Sequence, residues 1–90
     1  SYLELTYPEF ARTFSTEDAC LQAIFDTRWP RGFLCPSCGH NDGYRLSDGR
    51  RVECCVCHRQ YSITSGTIFH KSKTPLTVWF SIIYEMAHDK

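Results

Sequence analysis

The residues able to do chemistry in this 90-residue chain are its cysteines, four of which form the C-x-x-C pairs of Cys35-Pro36-Ser37-Cys38 and Cys54-Cys55-Val56-Cys57. Each C-x-x-C turn aims two sulfurs at one point, and two such turns together supply the four thiolates of tetrahedral Zn²⁺ in a closed structural site. A closed site holds a fold together and leaves no position for substrate, so no catalytic residue is expected here. Two disulfides would use the same cysteines, but nothing resembles an export signal and the short spacing favours a metal. Iron in an all-sulfur cage fits the same tetrahedral donor set as zinc. A second register, Cys55 with His58, has the same separation as Cys54 with Cys57. The all-cysteine set is preferred because it leaves His58 where Gly39 sits in the first knuckle. Cys55 and Cys20 then read as small apolar fillers.

The elements that must position these sulfurs follow from turn and cap signals. Tyr7 to Phe14 reads as a short helical turn. Ser15-Thr16-Glu17-Asp18 reads as an N-cap with an acid at the third helical position, Phe14 acting as staple. Ala19, Cys20, Ala23 and Ile24 recur at helical spacing until Trp29-Pro30 ends the segment. Trp29 and Phe33 bracket Pro30-Arg31-Gly32 as core residues leading into the first knuckle. Asp48-Gly49, between Tyr44–Ser47 and Arg50–Glu53, predicts a hairpin that returns Cys54 to Cys35. Gln60 to Thr64 predicts a third strand and Ser65-Gly66-Thr67 a turn. Thr74-Pro75 then opens a helix carrying Leu76, Trp79, Phe80, Ile83 and Met86, with Thr74 as its cap. The expected fold is a small α+β zinc ribbon: a three-stranded antiparallel ribbon with two knuckles, flanked by an N-terminal and a C-terminal helix. One domain over 1–90 is expected, divided into a helical flank at 7–30, the ribbon at 33–70 and the last helix at 74–88.

A ribbon of about 35 residues lies below the ~40 at which a chain folds without a metal or disulfide, so zinc is folding energy here. No apolar run approaches the roughly 18 residues of a membrane span, and the chain reads as soluble, with no membrane partner and a reducing cytoplasm as its setting. The final helix runs towards Lys90 without a Gly or Pro stop, which reads as a fragment of a longer protein. The net charge of zero hides an asymmetry. Residues 1–27 hold Arg12 against five acids, whereas residues 28–73 hold eight cations against three acids. Zinc with four thiolates subtracts two charges from that basic stretch, so any attraction for phosphate must come from a local face.

Beyond the cysteines, Arg28-Trp29-Pro30-Arg31-Gly32-Phe33 precedes the first knuckle, and Tyr61-Ser62-Ile63-Thr64-Ser65-Gly66-Thr67-Ile68-Phe69-His70 with Lys73-Thr74-Pro75-Leu76 follows the second. With these motifs the chain, over roughly residues 7 to 88, resembles the zinc-ribbon module of bacterial insertion-sequence transposases of the family numbered fifteen ninety-five. The resemblance implies Cys35, Cys38, Cys54 and Cys57 as ligands of one structural Zn²⁺. It also implies a non-catalytic recognition module for transposon-end DNA in transposition and DNA recombination, with a nuclease domain downstream as partner and a nucleoid-associated place in the bacterial cytoplasm.

The resemblance does not identify DNA contacts. Charge points to Arg45, Arg50 and Arg51 on the hairpin, Arg59 beyond the second knuckle, and Lys71 and Lys73, beside His70, on the connection to the last helix. Whether Arg45 and Arg51 share a side of the ribbon depends on register. Tyr44 and Tyr61 fit either base stacking or a half-buried strand. His40, His58, His70 and His88 read as structural or exposed. The competing function is a protein-interaction module, self-associating through Trp79 and Ile83 on the last helix. A rubredoxin-like electron carrier shares the ligands and little else.

Overall fold

The structure, a computed structural model, describes residues 2–88. A 3-10 turn at Tyr2–Glu4 precedes α1 (Tyr7–Thr13) and α2 (Glu17–Arg28); β1 (Gly43–Arg45), β2 (Arg51–Cys54) and β3 (Gln60–Ser62) follow, and α3 (Leu76–His88) closes the order. Helix α1 starts where Thr6 and Glu9 form a reciprocal capping box. Helix α2 is capped by Thr16, whose hydroxyl accepts from Ala19 N–H, one residue later than the expected cap. The shift releases Asp18 from capping, and its carboxylate reaches the ribbon instead.

The three strands form one antiparallel sheet in the order β1-β2-β3. Arg45 pairs with Val52 and Tyr44 with Glu53 across the hairpin; Val52 then pairs with Tyr61 and Glu53 with Gln60. This register is centred on Asp48-Gly49, where Gly49 takes φ +72°. The period of two sends Val52 and Cys54 inward, both fully buried, and Arg51 and Glu53 outward. The third strand ends at Ser62, shorter than expected, because Ile63 turns into the helical core.

Two apolar clusters result. The helical one gathers Phe10, Phe14, Cys20, Leu21, Ala23, Ile24, Leu76 and Tyr84 around Ile63; the other holds Trp29, Phe33, Val52, Cys35 and Cys54. Cys20 is the expected apolar filler, its thiol pushed up to about 11 by burial and by the charge of Glu17. Arg28 joins the clusters: its Nη1 donates to the carbonyls of Ser62 and Ile63, and its guanidinium lies 4.6 Å from the centroid of the Trp29 ring.

The start of α3 shows the largest departure from local expectation. Its first N–H groups, on Leu76 and Thr77, donate to the two carboxylate oxygens of Glu17 at 2.8 and 2.9 Å. The cap therefore comes from α2 across the core, in place of Thr74, and satisfies two orphan donors of the helix. Burial alone would raise the Glu17 carboxyl, but these two donors, with Arg50 nearby, outweigh it and hold the group below the usual carboxylate range. Tyr84 fixes the far end of α3 by donating to the carbonyl of Leu5. Among the described residues no helix is long and apolar enough to cross a membrane.

Candidate metal centre and ribbon surface

The two C-x-x-C turns adopt the same hydrogen-bond pattern. Gly39 N–H donates to Cys35 O at 2.9 Å, as His58 N–H does to Cys54 O at 3.1 Å; Cys35 N–H donates to His40 O, as Cys54 N–H does to Arg59 O. Both closing residues take positive φ, 76° at Gly39 and 62° at His58, so His58 fills the knuckle position that glycine fills in the first turn. Each turn folds one ligand inward and leaves its partner nearer solvent: Cys35 and Cys54 are buried, Cys57 is intermediate and Cys38 exposed.

The hairpin brings the turns face to face. Sγ of Cys35 lies 3.6 Å from that of Cys57, Sγ of Cys38 lies 3.6 Å from that of Cys54, and all four sulfurs lie within 4.8 Å of one another. A disulfide requires about 2.05 Å, whereas sulfurs about 2.3 Å from a tetrahedral zinc sit roughly 3.8 Å apart, which fits these separations. The surroundings favour thiolate at Cys35 and Cys54, whereas at Cys38 the His40 N–H is outweighed by burial and the three neighbouring sulfurs, which push the thiol up to about 11. Burial works to raise the Cys35 thiol, but the Cys38 N–H, 3.5 Å from its sulfur, and the Tyr61 hydroxyl, also at 3.5 Å, outweigh it and bring it down to about 5. The N–H of Cys57 likewise lowers Cys54. This donor set fits one structural zinc ion.

The alternative register fails on geometry. Neither Cys55 nor His58 joins the sulfur cluster: His58 points to Glu53 Oε2 at 3.3 Å, and Cys55 is exposed. The expectation that Cys55 is an apolar filler is corrected. Its position between the paired ligands directs it outward, and its N–H is tied to Asp42 O.

The six cations expected to meet DNA separate into engaged and open groups. Arg45 lies on the inner face at the sheet edge, where its guanidinium binds Asp18 at 2.7 Å, Gln22 at 3.0 Å and Gly49 O at 2.6 Å. It joins the hairpin to α2 and is only 21% exposed. Arg51 points to the opposite face, with Nε on Asp48 Oδ2 and Nη1 on Gln60 Oε1. Arg50 is open, 60% exposed with Glu17 4.0 Å away, and shares a cleft with Lys73 at the start of α3. Arg59, Lys71 and Lys73 are exposed and make no side-chain hydrogen bond or ion pair among the described residues. Lys71 also takes φ 60°.

The contacts of two residues of the ribbon escaped the sequence reading. Glu53 is the hub of the outer face: Tyr44 and Gln60 donate to its two oxygens, and these bonds with His58 hold its carboxyl below the usual range. Tyr61 places its hydroxyl oxygen 3.5 Å from Sγ of Cys35 and 2.6 Å from Oγ of Ser37. The signal for Glu53 was available once register was fixed, since strand alternation places it with Tyr44 and Gln60; for Tyr61 no local signal exists.

Residues 15–60 match the model of the transposase zinc-ribbon domain family. The chain is also 32% identical over 76 residues to an uncharacterized protein in transposable element ISH50 of Halobacterium salinarum. That match covers 81% of the chain and 26% of the relative, so the chain spans about a quarter of the relative's length. No solved structure matches it significantly.

Proposed function

The chain belongs to the transposase zinc-ribbon domain family, and on that premise we propose that it is a recognition module that binds the DNA ends of a mobile element. In this reading Cys35, Cys38, Cys54 and Cys57 hold the zinc that folds the ribbon, and catalysis belongs to a nuclease domain of a longer protein. The observation that carries it is the open cation set: Arg50, Arg59, Lys71 and Lys73 are exposed on the ribbon and its connection to α3, while Glu9, Glu17 and Asp18 of the acidic N-terminal flank are occupied in capping and in binding Arg45. Arg59, Lys71 and Lys73 have no side-chain partner among the described residues and Arg50 has only the 4.0 Å approach to Glu17, so all four are available to neutralise phosphates. Titration of the zinc-loaded chain against labelled duplex tests this. Four phosphate contacts should weaken binding roughly a hundredfold between 50 and 200 mM salt. Joint Arg50→Glu and Lys73→Glu replacement should remove about half of that salt slope, leaving roughly a tenfold change over the same range. Salt-independent binding, or no binding at low salt, would end the proposal.

A second reading is favoured by α3. Val78, Ile82 and Met86, at i, i+4 and i+8, form an apolar ridge that is 45, 44 and 72% exposed. Trp79 and Ile83, the residues expected to self-associate, are half-buried, with Trp79 edge-on to Phe69 and bonded to Ser72. The ridge carries no charge, so two copies can cross along it without like-charge repulsion, in the geometry of i±4 ridges. One short helix buries less than a stable dimer needs, so the pairing is weak and concentration-dependent. Sedimentation equilibrium should show mass rising with concentration in the parent and a monomer in Ile82→Glu. A parent monomeric at every concentration would exclude it.

A further inference from the structure

The outer face of the sheet differs from the open cations around it. It carries Tyr44, Arg51, Glu53, Gln60 and Ser62, linked in series: Asp48 to Arg51, Arg51 to Gln60, Gln60 to Glu53, Glu53 to Tyr44. The series is anchored in backbone, because Asp48 Oδ1 also accepts the N–H of Arg50 at 2.9 Å. Arg51 is thus braced on two edges of its guanidinium, through Nε and Nη1, while Nη2 and the second Nη1 hydrogen are uncommitted and the side chain is 50% exposed. Such bracing gives little advantage to a phosphate contact, which a flexible cation makes as well. The single arginine also lies between two carboxylates, Asp48 and Glu53, so the face has no net positive charge with which to attract a backbone. What a fixed, planar pair of donors matches is a neutral edge offering two acceptors side by side, and in duplex DNA that edge is guanine O6 and N7 in the major groove. A two-stranded hairpin, its strands about 4.8 Å apart, fits a groove about 12 Å wide and would carry Arg51, near its tip, to the floor.

Resting on the DNA-binding reading above, we propose that Arg51 is a specificity-determining residue that reads a guanine in the major groove, with Asp48 and Gln60 as the positioning residues that hold its guanidinium for that contact. Arg50, adjacent in sequence but directed to the other side, serves the phosphates instead.

The test is selection from a randomised duplex library by the zinc-loaded chain, followed by sequencing, beside its affinity for one fixed duplex at low salt. The parent should enrich guanine at one position roughly five- to a hundredfold. Arg51→Gln removes the donor fork that matches guanine O6 and N7, so guanine enrichment should vanish while low-salt affinity for the fixed duplex stays within about tenfold. Asp48→Asn keeps the acceptor for Arg50 N–H and should lower enrichment part-way. Guanine enrichment that survives in Arg51→Gln, or a parent that binds without preferring guanine, overturns the assignment and leaves phosphate-directed binding intact. A parent that binds no duplex at low salt removes both, and the fixed-duplex measurement separates the two failures.

Discussion

Removal of zinc by a chelator is expected to unfold the ribbon, with Cys54→Ser doing the same without a chelator. Zinc in a four-thiolate site is worth roughly 10–16 kcal/mol in apparent terms at neutral pH, comparable to or above the 5–15 kcal/mol by which a whole domain is normally stable. The ribbon has little to set against that loss. Its cluster of buried residues is Trp29, Phe33 and Val52 with two of the sulfur donors themselves, Cys35 and Cys54. The helical cluster is larger and contains none of the four sulfur donors. The two tryptophans fall one on each side, Trp29 in the ribbon cluster and Trp79 against the helical one. A Trp79→Phe variant therefore reports the ribbon alone through Trp29. Its emission should move to the red in step with zinc release, and the sheet signal should disappear with it. Unchanged Trp29 emission after zinc has fallen to zero would show that packing, and not the metal, closes the ribbon.

The ligands were legible because coordination chemistry writes itself in spacing: two C-x-x-C turns joined by a hairpin leave few other uses for four sulfurs. The hairpin was legible for a similar reason, although its register was left open. Asp48-Gly49 marks the turn, and Val52 and Cys54 alternate with Arg51 and Glu53, so one register alone buries the apolar pair. The contacts that escaped were those made between elements distant in the chain. Thr74 has the chemistry of a cap, but Glu17, 59 residues from Leu76, supplies the carboxylate that α3 receives. Arg45 has the composition of a DNA contact, yet Asp18 and Gln22, 27 and 23 residues away, bind it. Charge counting along the sequence cannot distinguish a cation engaged internally from one left open. The distinction between Arg45, Arg51 and Arg50 arises only when the sheet has a face and α2 lies at its edge. Cys55 was misread for a related reason: its residue type favours burial, whereas a position between two ligands of one knuckle points outward.

Ile63→Ala is expected to cost about 2–5 kcal/mol, because it removes three carbons from a site with no exposure and leaves a cavity among helices that cannot all close over it. In a domain of this length such a loss corresponds to a fall of roughly 10–30 °C in Tm. Location makes the position sensitive. Ile63 leaves the sheet directly after β3, its N–H holds Arg50 O, its carbonyl accepts Arg28, and its side chain sits among Phe10, Phe14, Leu21, Ile24 and Leu76. With Phe25, which packs against both clusters, it joins the zinc-held half to the helical half. The metal does not depend on that packing, since the sulfurs are oriented by backbone bonds within the knuckles and by the hairpin. The variant should retain one zinc per chain at room temperature while its helical signal melts early and apart from zinc release. The parent should lose both in one transition. A Tm within about 4 °C of the parent would mean that the side chain transmits little stability, leaving Arg28 and Glu17 as the principal ties between the halves.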